Sequence, residues 1–419
     1  MPGATALSED GWDVVTLLDE IDGIGRDPSR GGWSRHVFDD AELQLRDWFL
    51  TKAVLLGLTV EVDRNANLWA WWGAPARPGD NAIAVGSHLD SVPGGGAYDG
   101  PLGVTSALAA FARLRAEGFE PTVPMAVVVF MEEEGSRFGL ACLGSKLMSG
   151  AIDPERVAAL MDSGGATLAE VARSNGVDPD DLGRDDDRIA ALAAFVELHV
   201  EQGRGLADLG APIAVASSIL AHGRWRLSFG GEGNHAGTTA MADRRDPVAA
   251  FGTAVLAAQR AATVRDDPGR GAHSRATIGR MVAVPGGTNV IARRVDAWLD
   301  VRADGDVEAR SLVDEIVATA HEGAAAHGCT LEVAAESYGS RVDFDPALRE
   351  RIAGLLGGAP LLATGAGHDA GVLSDVLPTA MVFVRNPTGV SHAPSESSSD
   401  EDCRAGVAAL VTVVRDLAS

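Results

Sequence analysis

NAIAVGSHLDSVPGGGAYDGPLGVTSALAAFARLRAEG, residues 81–118, decides the fold class. An apolar run at 81–87 ends on His88, a glycine-rich turn follows, and 101–117 has a helical pattern, with Pro101 suited to its first turn and Gly118 to its stop. Strand, turn and helix in that order begin a strand–crossover–strand unit. The next strand is at 123–131 (VPMAVVVFM), a continuous β-branched run of the kind covered on both faces, and Glu132, Glu133 and Glu134 follow at its end. The expected fold is therefore α/β with a mostly parallel sheet, and its ligand crevice lies beyond the carboxyl ends of the strands.

Farther on, residues 195–200 (FVELHV) alternate, so Glu197 and His199 share one face and Val196, Leu198 and Val200 the other. After residue 211 the order changes to strand 223–230, helix 246–263, strands 276–283 and 294–302, helix 306–327 and strand 330–335. That βαββαβ order is the ferredoxin-like unit. The α/β pattern then resumes with a helix at 346–356 and a strand at 379–384, which makes the unit an insertion. The expected domains are 1–211 and 337–419 together, with 212–336 between them.

Composition bounds the rest. A chain of 419 residues exceeds what one core usually fills, and 46% apolar residues suffice for two. A formal charge of −24 disfavours nucleic acid or an anionic membrane as partner, since both repel an acidic surface, and leaves a small molecule as the expected one. Cys142, Cys329 and Cys403 have no paired spacing, which suits a reducing cytoplasm rather than a disulfide framework. The opening MPGATALSEDGW lacks the basic and apolar regions of a leader, and no stretch is apolar enough for a membrane span. The acidic run 178–188 reads as a solvated loop without EF-hand spacing.

Five potential metal ligands, His88, Asp99, Glu134, His199 and His392, each stand beside a strand end in a different stretch of the chain. One such histidine alone is as readily a structural residue. Asp99 lies eleven residues beyond His88 across PGGGAYDG, where a carboxylate can bridge two cations. Asp90, two residues beyond His88, suits the acceptor that orients the imidazole, or a turn residue. Adjacent glutamates at 132–134 can place one carboxylate on a metal and keep another free to move a proton, or can form a solvated loop. The set together predicts a metal-dependent hydrolase. A catalytically silent binding protein is the rival, and GAGHDA (365–370) formally matches a dinucleotide fingerprint but lacks the acidic residue about 20 positions on.

The segments GSHLDSVPGGGAYDGPLGV, EEEGSRFG, ELHVEQG, NHAGTTAMADRRDP, GAGHDA and NPTGVSHAPSE together resemble the allantoate amidohydrolase and N-carbamoyl-L-amino-acid hydrolase branch of the dinuclear aminoacylase and carboxypeptidase superfamily, from about residue 88 to the end. The resemblance implies two divalent ions per subunit (Zn, Mn, Co or Ni), one on His88, Asp99 and His199 and the other on Asp99, Glu134 and His392. It implies Glu133 as general base, His235 as oxyanion donor, and Asn289 and Arg302 as the clamp for a substrate carboxylate, with Gln202 near the ureido group. It also implies a homodimer built through the inserted domain, which serves as a lid. Ala240 and Ala292 stand where members often have proline, and Arg204–Ala207 replaces a proline-containing stretch. The texture of ANLWAWWG (66–73) and FVRNPTGVSHAP favours allantoate within the branch, with N-carbamoyl or other N-substituted amino acids second.

Overall fold

Pro101 and Gly118 act as the sequence leads one to expect. The computed structural model, which describes residues 9–267 and 273–419, has a helix at Pro101–Ala116 with proline in its first turn and Gly118 in the left-handed region at φ 70°. The first eight residues of the stretch read for a leader lie outside the described residues. Two compact units divide the chain, 1–218 with 343–419 and 219–342.

In the first unit, α1 (Val14–Asp22) and α2 (Asp40–Leu55) precede β1 (Thr59–Val62), β2 (Leu68–Trp72) and β3 (Ala82–His88). Next come α3 (Pro101–Ala116), β4 (Met125–Phe130), and four short helices, α4 (Leu143–Ser149), α5 (Pro154–Ala158), α6 (Leu168–Ser174) and α7 (Asp186–Ala191). β5 (Leu192–Val200), α8 (Gly205–Leu209) and β6 (Ile213–Ile219) complete this part.

The second unit holds β7 (Ala221–Gly230), β8 (Asn234–His235), α9 (Pro247–Arg265), β9 (Ser274–Val284), β10 (Val290–Ile291), β11 (Arg294–Ala303), α10 (Asp306–Ala326) and β12 (Thr330–Gly339). The chain returns through β13 (Val342–Asp343), α11 (Pro346–Leu355), β14 (Leu361–Thr364), α12 (Asp369–Leu373), β15 (Thr379–Val384) and α13 (Asp400–Leu417).

The main sheet runs β1-β2-β4-β3-β5-β15-β6-β13, with β14 paired to β6. Its four central strands, β4, β3, β5 and β15, are parallel, while β2 on one side and β6 on the other run antiparallel. Because β3 leads through α3 to β4 on one side and β5 lies on its other side, strand order reverses between β3 and β5. A crevice opens at such a point beyond the carboxyl ends. The fully buried β4 and the apolar face of β5, Val196, Leu198 and Val200, join α3 and α13 in one core. Helix α3 is nearly all buried, which its alanines and glycine permit between the sheet and its neighbouring helices α1 and α13.

The second unit is an antiparallel sheet in the order β12-β7-β11-β9, the βαββαβ arrangement read from the sequence. Leu227, Phe229, Val295, Leu299 and Val301 meet Ala250, Ala254, Leu312 and Ile316 of the two helices. The compact units divide after 218 and 342, where the sequence suggested 211 and 336. The reason is local: residues 213–215, at the start of β6, pair with β15 in the main sheet, and β12 runs four residues past the expected 335 before the chain returns. GAGHDA follows a strand, β14, and leads into a helix, α12, of only five residues.

No helix among the described residues is long and apolar enough to cross a membrane, and all three cysteines are free thiols. In the acidic run, Asp178 and Asp185 accept backbone N–H groups at the starts of short helical turns, a capping role.

Candidate metal centre

His88 closes β3 and His199 stands one residue before the end of β5. The register that sets Gly86 beside Glu197 brings the two imidazoles to 5.8 Å between ring centroids. Both rings are buried, and each spends Nδ1 on a carbonyl: His88 donates to Asp90 O at 3.0 Å and His199 to Val200 O at 2.8 Å. A carbonyl only accepts, so Nδ1 carries a proton and Nε2 is the nitrogen that each ring leaves for a metal. Both Nε2 atoms are buried without a hydrogen-bond partner.

Those atoms face Asp99. Its Oδ1 is 3.2 Å from His199 Nε2 and 3.6 Å from His88 Nε2, and its Oδ2 is 3.3 Å from His392 Nε2. His392 Nε2 is in turn 3.5 Å from Glu134 Oε2. The five residues therefore form two sets, His88–Asp99–His199 and Asp99–Glu134–His392, whose ligand atoms lie within 4.8 Å of one another and which share Asp99. The first set is wholly buried, whereas the His392 side chain in the second is 47% exposed. Asp99 reaches its place through Gly100, whose φ of 84° and lack of a Cβ let the backbone lie against the His88 ring.

The acidic stretch after β4 is not a solvated loop. Asp90 accepts the N–H groups of Glu133 at 3.2 Å and Glu134 at 3.0 Å. Its carboxylate stays 3.6 Å from His88 Nδ1, so the bond that orients this ring comes from the Asp90 carbonyl while the side chain anchors the acidic loop. Buried Glu132 accepts from the backbone of Arg137 and Phe138 at 2.9 and 2.8 Å. Glu133 places Oε2 3.6 Å from His88 Nε2. Glu132, Cys142 and His392 are non-glycine residues in the left-handed region, a conformation retained where the surroundings enforce it.

Charge explains why a cation suits this place. Burial opposes charge on His88, but Glu133, Asp90 and Asp99 outweigh it and hold its pKa well above the usual value. Burial would raise Asp99, yet His199, His392 and His88 hold it well below. Burial and the Asp99 charge push Glu134 up to about 7, and burial above all raises Glu133, with Asp369 and Glu134 adding to it. The bond to Asp99 brings His392 to about 9 against the effect of burial. Carboxylates crowded in a buried site must hold protons or cations. The two Nε2 atoms and Glu134 Oε1, all without a hydrogen-bond partner, are nitrogen and oxygen groups of the kind that bind divalent transition ions once a cation displaces the proton.

Gln202 donates to Asp99 Oδ2 at 2.8 Å and lies 3.3 Å from His392 Nε2, which puts it at the open side of the second set. His235, Asn289 and Arg302 all belong to the second unit. His235 is exposed in β8, pairs with Val290 of β10, and accepts the Gly237 N–H on Nδ1 at 3.0 Å. Asn289 lies beside it, its carbonyl accepting Ala236 N–H at 2.9 Å. Arg302 sits at the far end of β11, eight residues beyond Arg294, roughly 25 Å along the strand at ~3.3 Å per residue. The structure thus brings His235 and Asn289 together and keeps Arg302 apart from them within the unit.

Several further groups support the site. Glu396 accepts the N–H groups of Tyr98 and Asp99, both at 3.0 Å, and so holds the Asp99 loop; burial and Asp99 raise it to about 7. Glu197, behind His199, accepts from Ser87 at 2.9 Å and from Ala370 N–H at 3.0 Å. His368, buried 4.5 Å from the His199 ring, is held well below its usual pKa by burial and by His199. Asn67 accepts Met131 N–H at 3.0 Å and donates to Asp63 at 3.0 Å, bracing the end of β4. An acid in a loop reads the same whether it holds a turn or faces solvent, so only the alternation that pairs Glu197 with His199 gave any signal. The tryptophans of 66–73 are packing groups, with Trp69 and Trp71 stacked at 5.5 Å and fully buried.

Residues 84–416 match Peptidase family M20/M25/M40. Over 408 residues the chain is 36% identical to an N-carbamoyl-L-amino acid amidohydrolase of Geobacillus stearothermophilus, covering 96% of this chain and 97% of that one. It is 31% identical over 399 residues to a probable allantoate deiminase of Oryza sativa subsp. japonica, covering 85% and 79%. The crystal structure of an amidase of the hydantoinase/carbamoylase family from Burkholderia multivorans superposes with a TM-score of 0.86 at 29% identity, covering 99% of each chain. Two ligand sets meeting on one buried aspartate at the switch point of the sheet, together with these matches across nearly the whole length, place the chain in Peptidase family M20/M25/M40, as an amidohydrolase.

Proposed function

We propose that this amidohydrolase cleaves the ureido or carbamoyl C–N bond of a small carboxylate, allantoate first and an N-carbamoyl-L-amino acid second, with two divalent cations, zinc, manganese, cobalt or nickel, in each subunit. The observation that carries this reading is the position of Asp99 between two ligand sets, with Glu133 beside them. One ion would be held by His88, Asp99 and His199 and the other by Asp99, Glu134 and His392. When bound, such a pair supplies Lewis acidity and brings water close to ionising at neutral pH.

The chain's own groups do the rest. Glu133 takes a proton from the attacking water on Oε2, the oxygen that faces His88, and returns it to the departing nitrogen. His235 donates from Nε2 to the oxyanion, since its Nδ1 is occupied as an acceptor. Asn289 and Arg302 hold the substrate carboxylate, Arg302 by two parallel N–H bonds, and Gln202 bonds the ureido group. Ammonia leaves, and the carbamate left behind loses carbon dioxide.

A small substrate cannot touch both Asn289 and Arg302 of one chain across roughly 25 Å of strand. This supports a homodimer, in which the inserted domain of one protomer lends His235 and Asn289 to a site whose Arg302 belongs to the other. Three free thiols suit a cytoplasmic enzyme. Ammonia release from allantoate and N-carbamoyl-L-amino acids, and free amino acid release from N-acetyl-L-amino acids, with each of the four metals supplied, test the reading. Ureido compounds are expected to react and simple acyl ones not. Turnover confined to the acyl compounds would overturn it.

A further inference from the structure

Glu133 has a second oxygen to account for. Oε2 faces Nε2 of His88, and Oε1 points the other way, 3.4 Å from the sulfur of Cys142, whose thiol donates to it. Cys142 is 4% exposed and stands immediately before α4 with a φ of 56°, in the left-handed region. Its backbone is tied to the same glutamate. Cys142 N–H donates to Glu133 O at 2.7 Å, Leu143 N–H to Glu132 O at 3.1 Å and Gly144 N–H to Met131 O at 2.9 Å. Residues 142–144 therefore run alongside the acidic loop, rung by rung. One turn on, Ser145 donates to Asp369 at 2.5 Å and fixes the start of α4 to the layer behind His199.

We propose that Cys142 is a positioning residue for the proton carrier: its thiol holds Glu133 Oε1, so that the carboxylate plane is fixed with Oε2 turned toward the metal-binding atoms. This rests on the assignment of Glu133 in the proposed function. A carboxylate on a flexible side chain can present either oxygen, and a donor on one of them selects the other. A thiol suits the task because it is a weak donor, which fixes direction while leaving the carboxylate able to take a proton. Nothing reactive is required of the sulfur, which is too deeply enclosed to meet a substrate.

The paired variants Cys142→Ala and Cys142→Ser, assayed with both metals supplied, separate positioning from packing. Alanine removes the donor and serine keeps one. In C142A we expect kcat to fall roughly threefold to tenfold, the range that one neutral hydrogen bond carries, with KM and metal content unchanged. C142S should stay within about twofold of the parent, since it restores the donor. Full kcat in C142A, or equal losses in the two variants, overturns the proposal. The infrared S–H stretch of the metal-free protein gives a reading that needs no variant at Cys142 to be active. The band lost in C142S should shift when Glu133 is changed to Gln, and a band indifferent to that change overturns the contact. Undiminished turnover in E133Q would instead remove the base assignment while the band still reports the bond, so the two failures are distinguishable.

Discussion

The candidate ligand cluster of the first unit and the proposed clamp residues of the second stand in opposite states. His88, His199, Asp99 and Glu133 are buried, each held by at least one backbone or side-chain bond, and their geometry is set by four parallel strands. His235 and Asn289 are exposed, and Arg302 is partly so, at the far end of a strand from the other two. Burial forces buried polar groups to be satisfied and so fixes their positions in advance. Exposed groups are satisfied by water and gain a role only when a partner or substrate displaces it. The candidate ligand cluster is thus fixed in advance within one unit, and on the proposed reading the exposed groups of the other gain their role when substrate or a second protomer meets them.

The largest effect should come from within the buried region. Glu133→Gln is expected to lower kcat by about 10²- to 10⁴-fold, the usual contribution of a general base, with two metals still bound. Full turnover with both metals in place would end that role for Glu133.

The exposed region can be broken by mixing. His235→Ala and Arg302→Ala homodimers should each be nearly inactive, with Arg302→Ala losing about 1.5–3 kcal/mol on substrates that bear a carboxylate. If the clamp serves two protomers, a one-to-one mixture restores about a quarter of parent activity, because half of the dimers are mixed and each of those keeps one intact site in a two-fold assembly. A mixture no more active than its parents would mean that all the clamp groups serve one site together.

Within the cluster, the two ligand sets differ as the two units do. The first is fully buried and the second opens through His392, so the second ion should leave at a chelator concentration about tenfold lower. Metal content followed against chelator checks this, and simultaneous loss of both ions would contradict it.

The smallest effect concerns Glu132, which burial and then the charge of Asp90 raise to about 8 from its ordinary 4.5. A raised carboxyl keeps its proton in the folded state between those values, so stability is full at acid pH and is lost as pH rises toward 8. Glu132→Gln cannot ionise yet still offers an oxygen to the Arg137 and Phe138 N–H groups. Thermal unfolding of the metal-free proteins between pH 5.5 and 8.5 should show a shallower decline for E132Q, by at most about 1.4 kcal/mol per pH unit. Parallel curves would sink the assignment.

Periodicity carried most of the fold. VPMAVVVFM could only be a strand covered on both faces, FVELHV announced one chemical and one packed face, and Pro101 with Gly118 bracketed a helix. The expected boundary near 211 and the division of the compact units after 218 differ because IAVASSI is short and apolar, and whether it pairs with β15 or begins the insertion depends on a strand more than 150 residues away. Of the site, the ligand types at strand ends were legible. Glu396, Asn67 and Cys142 were not, since their contacts join residues distant in sequence through geometry that no spacing encodes.

By itself the sequence determined the alternation of elements, the βαββαβ insertion and a set of nitrogen and oxygen donors placed where parallel strands end, because those follow from local pattern and from the rule that such strands share a direction. Only the tertiary structure decided that the Asp90 side chain holds the acidic loop rather than the His88 ring, that Glu396 fixes the Asp99 loop, and that Arg302 lies far from Asn289. Those outcomes depend on which donor comes within about 3 Å of which acceptor once the chain is packed, and that distance is a property of the whole fold.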